Sequence, residues 1–192
     1  MATRNAKAMP IQLVLQGGGA KLIALLAAME AVEELEAAGR IVVTRLCGTS
    51  AGAIAACLFA ARVPMAKARK SFENHFKGKI DKLFPIPSNK SFLLKTYQEQ
   101  TIWQTGPILK FFQEIFQSKT LSELGVPAAV VVSDLSNTKP LVLSSWDKET
   151  QGRSVADALL DSMALPFFFR IWQADGPVHV VGSSLGRPSD SP

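Results

Sequence analysis

The sequence predicts an α/β fold with a mainly parallel central sheet, and three observations lead to that class. Strand patterns alternate with helix patterns through the first half of the 192 residues, as in proteins built of βαβ units. Two of the strand patterns end in a glycine cluster directly before a helix, which is typical of parallel strands joined by helical crossovers. Hydrophobic residues make up 47% of the chain and charged residues 19%, so the chain can bury a core and is not disordered.

The elements of the first half follow from local patterns. Residues 11–16 (IQLVLQ) predict a strand, because a short apolar run stops at three glycines. The Ala-, Leu- and Glu-rich stretch after them predicts a helix that ends at Gly39. Residues 41–48 predict the second strand, and the nearly all-apolar residues 51–62 predict a buried helix. A third helix is expected over residues 65–77.

The second half is less regular. Residues 84–106 contain two prolines and little periodicity, so they are left open as a possible flap. The predicted elements beyond them are a helix from Pro107, strands over residues 128–134 and 140–145, a helix capped by Ser154 and stopped by Pro166, and a short strand over residues 178–181.

Length and composition bound the organisation and location of the protein. We expect one domain over residues 11–185, between an N-terminal tail (1–10) and a disordered tail (186–192). No apolar run reaches the roughly 18 to 20 residues that a bilayer crossing needs, and no export signal follows the N-terminus. The expected location is therefore the cytoplasm. Cys47 and Cys57 lie in apolar segments, which favours buried thiols over a disulfide.

The net charge of +5 is concentrated in one stretch. Residues 62–82 carry seven basic residues against two acidic ones, a difference of 7 − 2 = +5. Such a stretch is either a solvated helix face or a patch that makes peripheral contact with anionic membrane. Nucleic acid is not an expected partner, because no zinc-finger spacing, aromatic RNA-binding strand or basic helix with heptads accompanies the charge.

Ser50 is the first candidate for chemistry. Residues 48–52 (GTSAG) have the G-x-S-x-G spacing and lie between a predicted strand and a predicted helix, the context which that motif requires. A serine on so sharp a turn has an exposed hydroxyl, and the amides of the following helix favour negative charge beside it. The alternative interpretation is a turn of small residues at a strand-to-helix junction.

A second glycine cluster, Gly17, Gly18 and Gly19, also follows a strand and precedes a helix. In a parallel sheet both turns emerge at the carboxyl ends of the strands, so they can share one site. Three consecutive glycines expose N–H groups that can donate to an oxyanion or a phosphate. Leu22 stands where a dinucleotide fingerprint needs glycine, and Lys21 is not followed by the Ser or Thr of a P-loop.

Four segments together resemble the patatin-like phospholipases: LVLQGGGAKLIALLAAMEAVEE, CGTSAGAIAA, TLSELGVPAAVVVSDLSN and VADALLDSMALPFFF. The resemblance implies a three-layer α/β/α fold and an acyl hydrolase that acts on phospholipids and related esters. It further implies a Ser-Asp dyad that uses no metal, no histidine and no cofactor. On this basis Ser50 is the expected nucleophile, and the amides of Gly17, Gly18 and Gly19 are the expected oxyanion hole.

The sequence departs from the family pattern at two places. Leu22 stands where the family usually has glycine after the basic residue. The family's D-G-G or D-G-A aspartate follows the P-x-x-F pattern, and the residue at that position is Val181. Asp175, in a nearby D-G pair, is the fallback base. Residues 186–192 resemble nothing in the family, which predicts a domain that is incomplete at its C-terminus.

Two alternatives remain open from the sequence. A chain without the dyad aspartate is a catalytically impaired patatin-fold protein, acting as a binding or vestigial module. A Ser-His-Asp triad of Ser50, Asp134 and His179 has the chain order of α/β-hydrolases, but only 49 residues precede Ser50, whereas several strands precede the elbow in that fold. His179 is expected in a strand, and Asp134 is expected to cap or turn the chain at the end of the strand over residues 128–134.

Overall fold

The computed structural model describes residues 7–76, 106–134 and 139–164. Its sheet has four strands in the order β1 to β4: β1 (Met9–Leu15), β2 (Ile41–Thr49), β3 (Ala128–Asp134) and β4 (Lys139–Ser144). β1, β2 and β3 run parallel, and β4 is antiparallel to β3. The predicted α/β class with a mainly parallel sheet is confirmed. The possible flap, apart from Gly106, the strand over residues 178–181 and the C-terminal tail lie outside the described residues.

The described helices are α1 (Leu22–Ala37), α2 (Ala51–Ala60), α3 (Met65–Phe76), α4 (Gly106–Phe116) and α5 (Val155–Met163), with short 3-10 turns at Gly19–Lys21 and Leu121–Glu123. Each of the five was expected from the sequence, and the ends differ by a few residues. Ser154 caps α5 as expected, because its hydroxyl accepts a hydrogen bond from the amide of Asp157.

β1 begins earlier than the sequence predicts. The amide of Met9 donates to the carbonyl oxygen of Arg40 (3.0 Å), and Met9 pairs with Ile41, so the strand includes two residues of the expected N-terminal tail. Pro10 fits within β1 because β1 is an edge strand of the described sheet and has one side without ladder partners there.

Gly39 ends α1 as predicted, and the geometry gives the reason. Its φ is +67°, a conformation that glycine adopts without steric cost. The amide of Gly39 donates to the carbonyl of Glu36 and that of Arg40 to the carbonyl of Leu35. This pair of bonds is the Schellman motif, which satisfies carbonyls that the helix itself leaves free.

The described helices share one core with one face of the sheet. β1, β2 and β3 follow one another across the sheet in chain order, so right-handed crossovers put both connections on the same face. Every residue of α2 is buried. The largest contributors to the core include Leu26, Met29, Leu46, Leu58, Phe72, Phe112, Val130 and Leu159.

Several apolar side chains lie exposed on the sheet's strands. Val14 of β1 is 80% exposed, and Val42 of β2 and Val142 of β4 are also exposed. They alternate with strand residues that pack into the core, such as Leu13, Val43 and Leu143.

Among the described helices, none is long and apolar enough to cross a membrane.

Candidate active site

Ser50 occupies a strained turn between β2 and α2. Its φ is 51° and its ψ is −121°, in the positive-φ region that residues other than glycine rarely adopt. The carbonyl of Ser50 accepts the first helical hydrogen bond of α2 from Ile54 (3.0 Å). The hydroxyl makes no capping bond, and no acceptor in the described part of the chain takes its proton. The side chain is thus left free for chemistry.

The two glycines of the G-x-S-x-G motif are required by close backbone contacts. A Cβ on Gly48 would lie 2.4 Å from the carbonyl carbon and oxygen of Gly52. A Cβ on Gly52 would lie 2.1 Å from the carbonyl oxygen of Leu15. Real Cβ atoms do not approach backbone so closely, so only glycine lets α2 pack directly on β1 and β2. The motif therefore sets the position of Ser50 through packing as well as through its turn.

The glycine loop lies next to the Ser50 turn. A Cβ built on Gly17 would lie 3.2 Å from the carbonyl oxygen of Thr49 and 3.4 Å from Cβ of Ser50. Gly18 has a φ of +139°, which a side chain would strain. Within the described ranges, the amides of residues 17–19 donate no hydrogen bond to any acceptor. The two clusters that the sequence placed at one sheet edge do meet there.

Leu22 does not disturb this loop. It follows the turn Gly19–Lys21 with φ −53° and ψ −47°, which is ordinary right-handed helix. No glycine is needed at a residue with these angles. The departure from the family pattern at Leu22 thus leaves the backbone of the loop intact.

Ser162 is a residue of the site to which the sequence analysis gave no role, although it lies in the segment VADALLDSMALPFFF that carries the family resemblance. It lies near the end of α5 and is 2% exposed. Its Oγ accepts a hydrogen bond from the amide of Ser50 (2.8 Å) and donates one to the carbonyl of Val131 (2.7 Å). Two signals of it are visible in the sequence: Ser162 begins the S-x-A-x-P-x-x-F pattern of residues 162–169, and it is a polar residue on a helix face that is otherwise apolar.

The remaining candidate residues are not brought to Ser50 by the described part of the chain. Asp134 ends β3, but its side chain is not described, and Asp175, His179 and Val181 lie outside the described residues. The dyad base and the alternative triad therefore stay predictions. The described residues hold no group of three or more His, Cys, Asp and Glu side chains placed to bind a metal ion.

The cysteines close to the elbow do not compete with Ser50 as nucleophiles. Burial raises the pKa of the Cys47 thiol, and it raises the pKa of Cys57, on the wholly buried α2, to about 12. A raised pKa keeps the thiol protonated at neutral pH, and the protonated form is a poor nucleophile. Both thiols are free, as the sequence predicts, but only Cys57 is buried as expected, and Cys47 is half-buried.

The described part of the chain is an α/β fold in which Ser50 lies on a positive-φ turn between a parallel strand and a buried helix, the local context that the G-x-S-x-G motif requires. Among α/β proteins, the chain belongs to the patatin-like phospholipase family, whose family model matches residues 13–186. The family is one of lipid hydrolases.

Two solved structures are similar to this chain, and the one with the higher TM-score supports the same fold. VipD from Legionella pneumophila matches with a TM-score of 0.55 and 15% identity, covering 97% of this chain and 48% of that one. The type III effector protein ExoU matches with a TM-score of 0.46 and 17% identity, covering 83% and 39%. The chain thus spans about half the length of VipD. Among curated proteins, no significant sequence match was found.

Proposed function

We propose that this chain carries the acyl-transfer site of a serine lipid hydrolase, with phospholipid or a related acyl ester as substrate. Ser50 is the nucleophile, and the amides of Gly17, Gly18 and Gly19 form the oxyanion hole. The observation that carries the proposal is the proximity of the glycine loop to the Ser50 turn, since a Cβ built on Gly17 would lie 3.4 Å from Cβ of Ser50. A tetrahedral oxyanion formed on Ser50 would then lie within reach of the loop amides.

The reaction runs in two halves. A base takes the proton of Ser50 Oγ, the Oγ–carbon bond forms, and the loop amides stabilise the oxyanion. When the tetrahedral intermediate collapses, the ester C–O bond breaks and the leaving alcohol receives the proton. Water then attacks the acyl-enzyme in the same way, which releases the fatty acid and restores the Ser50 hydroxyl. Asp175 is the candidate base, and no metal or cofactor takes part.

A second function is favoured by one feature of the sequence, Val181 at the position of the family's dyad aspartate. A chain without a base keeps the oxyanion hole and the substrate contacts but loses about 10⁴-fold or more in rate. It would then act as a lipid-binding module that turns over slowly or not at all.

Turnover experiments separate the two functions. The full chain is incubated with a p-nitrophenyl acyl ester and with phospholipid vesicles, and Ser50→Ala is the variant. We expect Ser50→Ala to lower hydrolysis to the rate of buffer alone and to abolish labelling by a fluorophosphonate. Loss of turnover in Asp175→Asn, with labelling of Ser50 reduced in parallel, would assign the base.

The outcomes that contradict each proposal are distinct. Hydrolysis that persists in Ser50→Ala excludes Ser50 as the nucleophile. Absence of hydrolysis in the unaltered chain, together with binding to the same vesicles, supports the binding module instead. Robust hydrolysis that depends on Ser50 excludes the impaired module.

We also propose that residues 62–82 make peripheral contact with anionic membrane. The supporting observation is that Lys67 and Lys70 of α3 are both exposed and lie three residues apart, on one side of the helix. Within the described residues no carboxylate pairs with either lysine. Each such lysine near an anionic surface contributes about 1 kcal/mol to binding.

A further inference from the structure

Ser162 has no part in the proposed chemistry, yet its hydroxyl joins three elements at the elbow. Its Oγ lies 2.8 Å from the amide nitrogen of Ser50, at a sequence separation of 112 residues. The same Oγ lies 2.7 Å from the carbonyl oxygen of Val131 in β3. One side chain of α5 thereby connects the turn after β2 to the neighbouring strand.

Both hydrogen-bonding functions of this hydroxyl are occupied. The O–H donates to Val131, so a lone pair is free to accept from Ser50, and the direction of each bond is fixed by its partner. The residue is 2% exposed, and a buried hydroxyl is unfavourable unless it is bonded in this way. Without the hydroxyl, two backbone groups beside the proposed nucleophile would lose their partner.

The hydrogen bond to Ser162 is made by Ser50, the residue whose backbone is strained. Ser50 holds a φ of 51° and a ψ of −121°, and such conformations persist only where surrounding contacts enforce them. The bond to Ser162 fixes the amide plane immediately before the Ser50 Cα. It also occupies the Ser50 amide, so the stabilisation of an oxyanion falls to other amides, those of the glycine loop among them.

We propose that Ser162 is a positioning residue that holds the elbow of Ser50 in its reactive geometry by tying it to β3. The inference rests on the proposed function of Ser50 as the nucleophile. Loss of the hydrogen bond between Ser50 and Ser162 leaves the half-buried Ser50 present, but lets its Cα and Oγ move relative to the glycine loop. A displacement of about 1 Å at a nucleophile is enough to lower a rate about 10²-fold.

The first test measures the hydrogen bond between the Ser50 amide and Ser162 Oγ, and it does not require catalytic activity. Amide hydrogen exchange is followed by NMR on the full chain, unaltered and with Ser162→Ala, Ser162→Thr or Ser144→Ala. We expect the Ser50 amide to exchange about tenfold faster in Ser162→Ala and to be protected again in Ser162→Thr, which keeps a hydroxyl. The amide of Leu58, in the C-terminal half of α2, serves as the internal reference.

Ser144→Ala is the matched control. Ser144 is also buried to 2% exposure, but its Oγ accepts from the amide of Asp147 in the turn after β4. This variant therefore removes a buried serine hydroxyl without touching the elbow. Exchange at Ser50 is expected to stay at the unaltered rate relative to Leu58.

The second test measures the consequence for chemistry. We expect Ser162→Ala to lower kcat, or the rate constant for fluorophosphonate labelling of Ser50, about 10²-fold with little change in KM. Ser162→Thr is expected to recover most of that loss. Circular dichroism establishes which variants fold, and Ser162→Cys replaces Ser162→Ala if the alanine variant does not.

Each outcome bears on one of the two proposals. If Ser50 and Leu58 amides accelerate equally in Ser162→Ala, the residue is merely structural and the inference is overturned. It is overturned equally if labelling is slowed as much by Ser144→Ala, or if the threonine restores neither protection nor rate. If the fluorophosphonate never labels the unaltered chain, the proposed function fails. Amide exchange at Ser50 still shows whether the hydrogen bond to Ser162 exists.

Discussion

The glycines beside Ser50 show how single residues set the geometry of the site. Gly48 and Gly52 are held where any Cβ would enter backbone atoms, at 2.4 Å and 2.1 Å. We expect Gly48→Ala and Gly52→Ala each to lower the free energy of unfolding by about 3 kcal/mol or more, because neither β1 nor α2 can move away without disturbing the core. Urea unfolding measures this change.

Gly152→Ala provides the comparison for these variants. No atom lies within 4 Å of a Cβ built on Gly152, and its φ is not positive. This substitution is expected to change the free energy of unfolding by less than about 0.5 kcal/mol. Equal stabilities for all three variants would show that the elbow is not packed as the structure describes.

At the scale of single residues, the sequence predicted the motif around Ser50, which is formed by neighbouring residues. It did not predict the role of Ser162, which depends on residues far away in the sequence. The spacing of residues 48–52 is visible in the sequence because the turn is built from neighbouring residues. The role of Ser162 depends on contacts 112 and 31 residues away, and the S-x-A-x-P-x-x-F pattern that begins at Ser162 does not reveal these partners. A lone serine in a helix is as compatible with solvent as with a buried hydrogen bond.

At the scale of elements, the 3-10 turn before β3 is held by a capping box that responds to pH. The amide and hydroxyl of Thr120 both donate to the Glu123 carboxylate, at 2.7 Å and 2.9 Å. These hydrogen bonds, from the Thr120 backbone first, hold the pKa of Glu123 below its usual value. The carboxylate therefore stabilises the fold above the unfolded pKa of about 4.3, and this contribution is lost as the pH falls through the lower folded value.

The variant Glu123→Gln isolates this contribution. We expect it to be less stable than the unaltered chain at pH 7, and the difference to shrink as the pH falls from about 5 to below the folded pKa. Urea unfolding at a series of pH values measures the difference. Glu114→Gln, at an exposed position of α4, is the control and should show no such convergence. A difference that stays constant down to pH 3 would contradict the role of the ionised carboxylate.

The boundaries of elements were harder to predict than their existence. Apolar periodicity predicted α1 and α4, a nearly all-apolar run predicted α2, and the cap at Ser154 with the stop at Pro166 predicted α5. The start of β1 at Met9 depends on pairing with Ile41, and the end of α5 at Met163 comes before the predicted stop at Pro166. The ends of elements depend on pairing partners that are distant in the sequence and on backbone angles. A local sequence pattern contains no information on either.

At the scale of the whole molecule, the sheet topology brings the parts of the site together. Parallel β1 and β2 are paired through Leu15 and Gly48, so the loops that follow them leave from the same edge. This rule of parallel sheets is why the meeting of the glycine loop and Ser50 could be predicted from strand order alone. The position of the base could not, since the candidate Asp175 follows a segment with no regular pattern.

The charge of residues 62–82 is partly compensated within the fold. Arg62 is paired with Glu36 of α1, and Arg69 is bonded to Glu30 (3.0 Å) and to Glu73 (3.1 Å). These arginines join α3 and its preceding turn to α1. The concentration of basic residues in the sequence therefore overstates the charge that is available to a partner. In the described part of this stretch, Lys67 and Lys70 are the cations that remain for a membrane surface.

Membrane contact through this surface predicts a specific loss of affinity. The double variant Lys67→Gln/Lys70→Gln removes about 2 kcal/mol of attraction to anionic lipid, which weakens binding roughly 30-fold. Cosedimentation with vesicles containing phosphatidylserine, at fixed ionic strength, measures the change. Lys139→Gln/Lys148→Gln removes the same charge from exposed positions in and after β4, so it should bind nearly as the unaltered chain does. Equal losses in the two double variants would assign the attraction to net charge, and undiminished binding to vesicles of neutral lipid would exclude an electrostatic patch altogether.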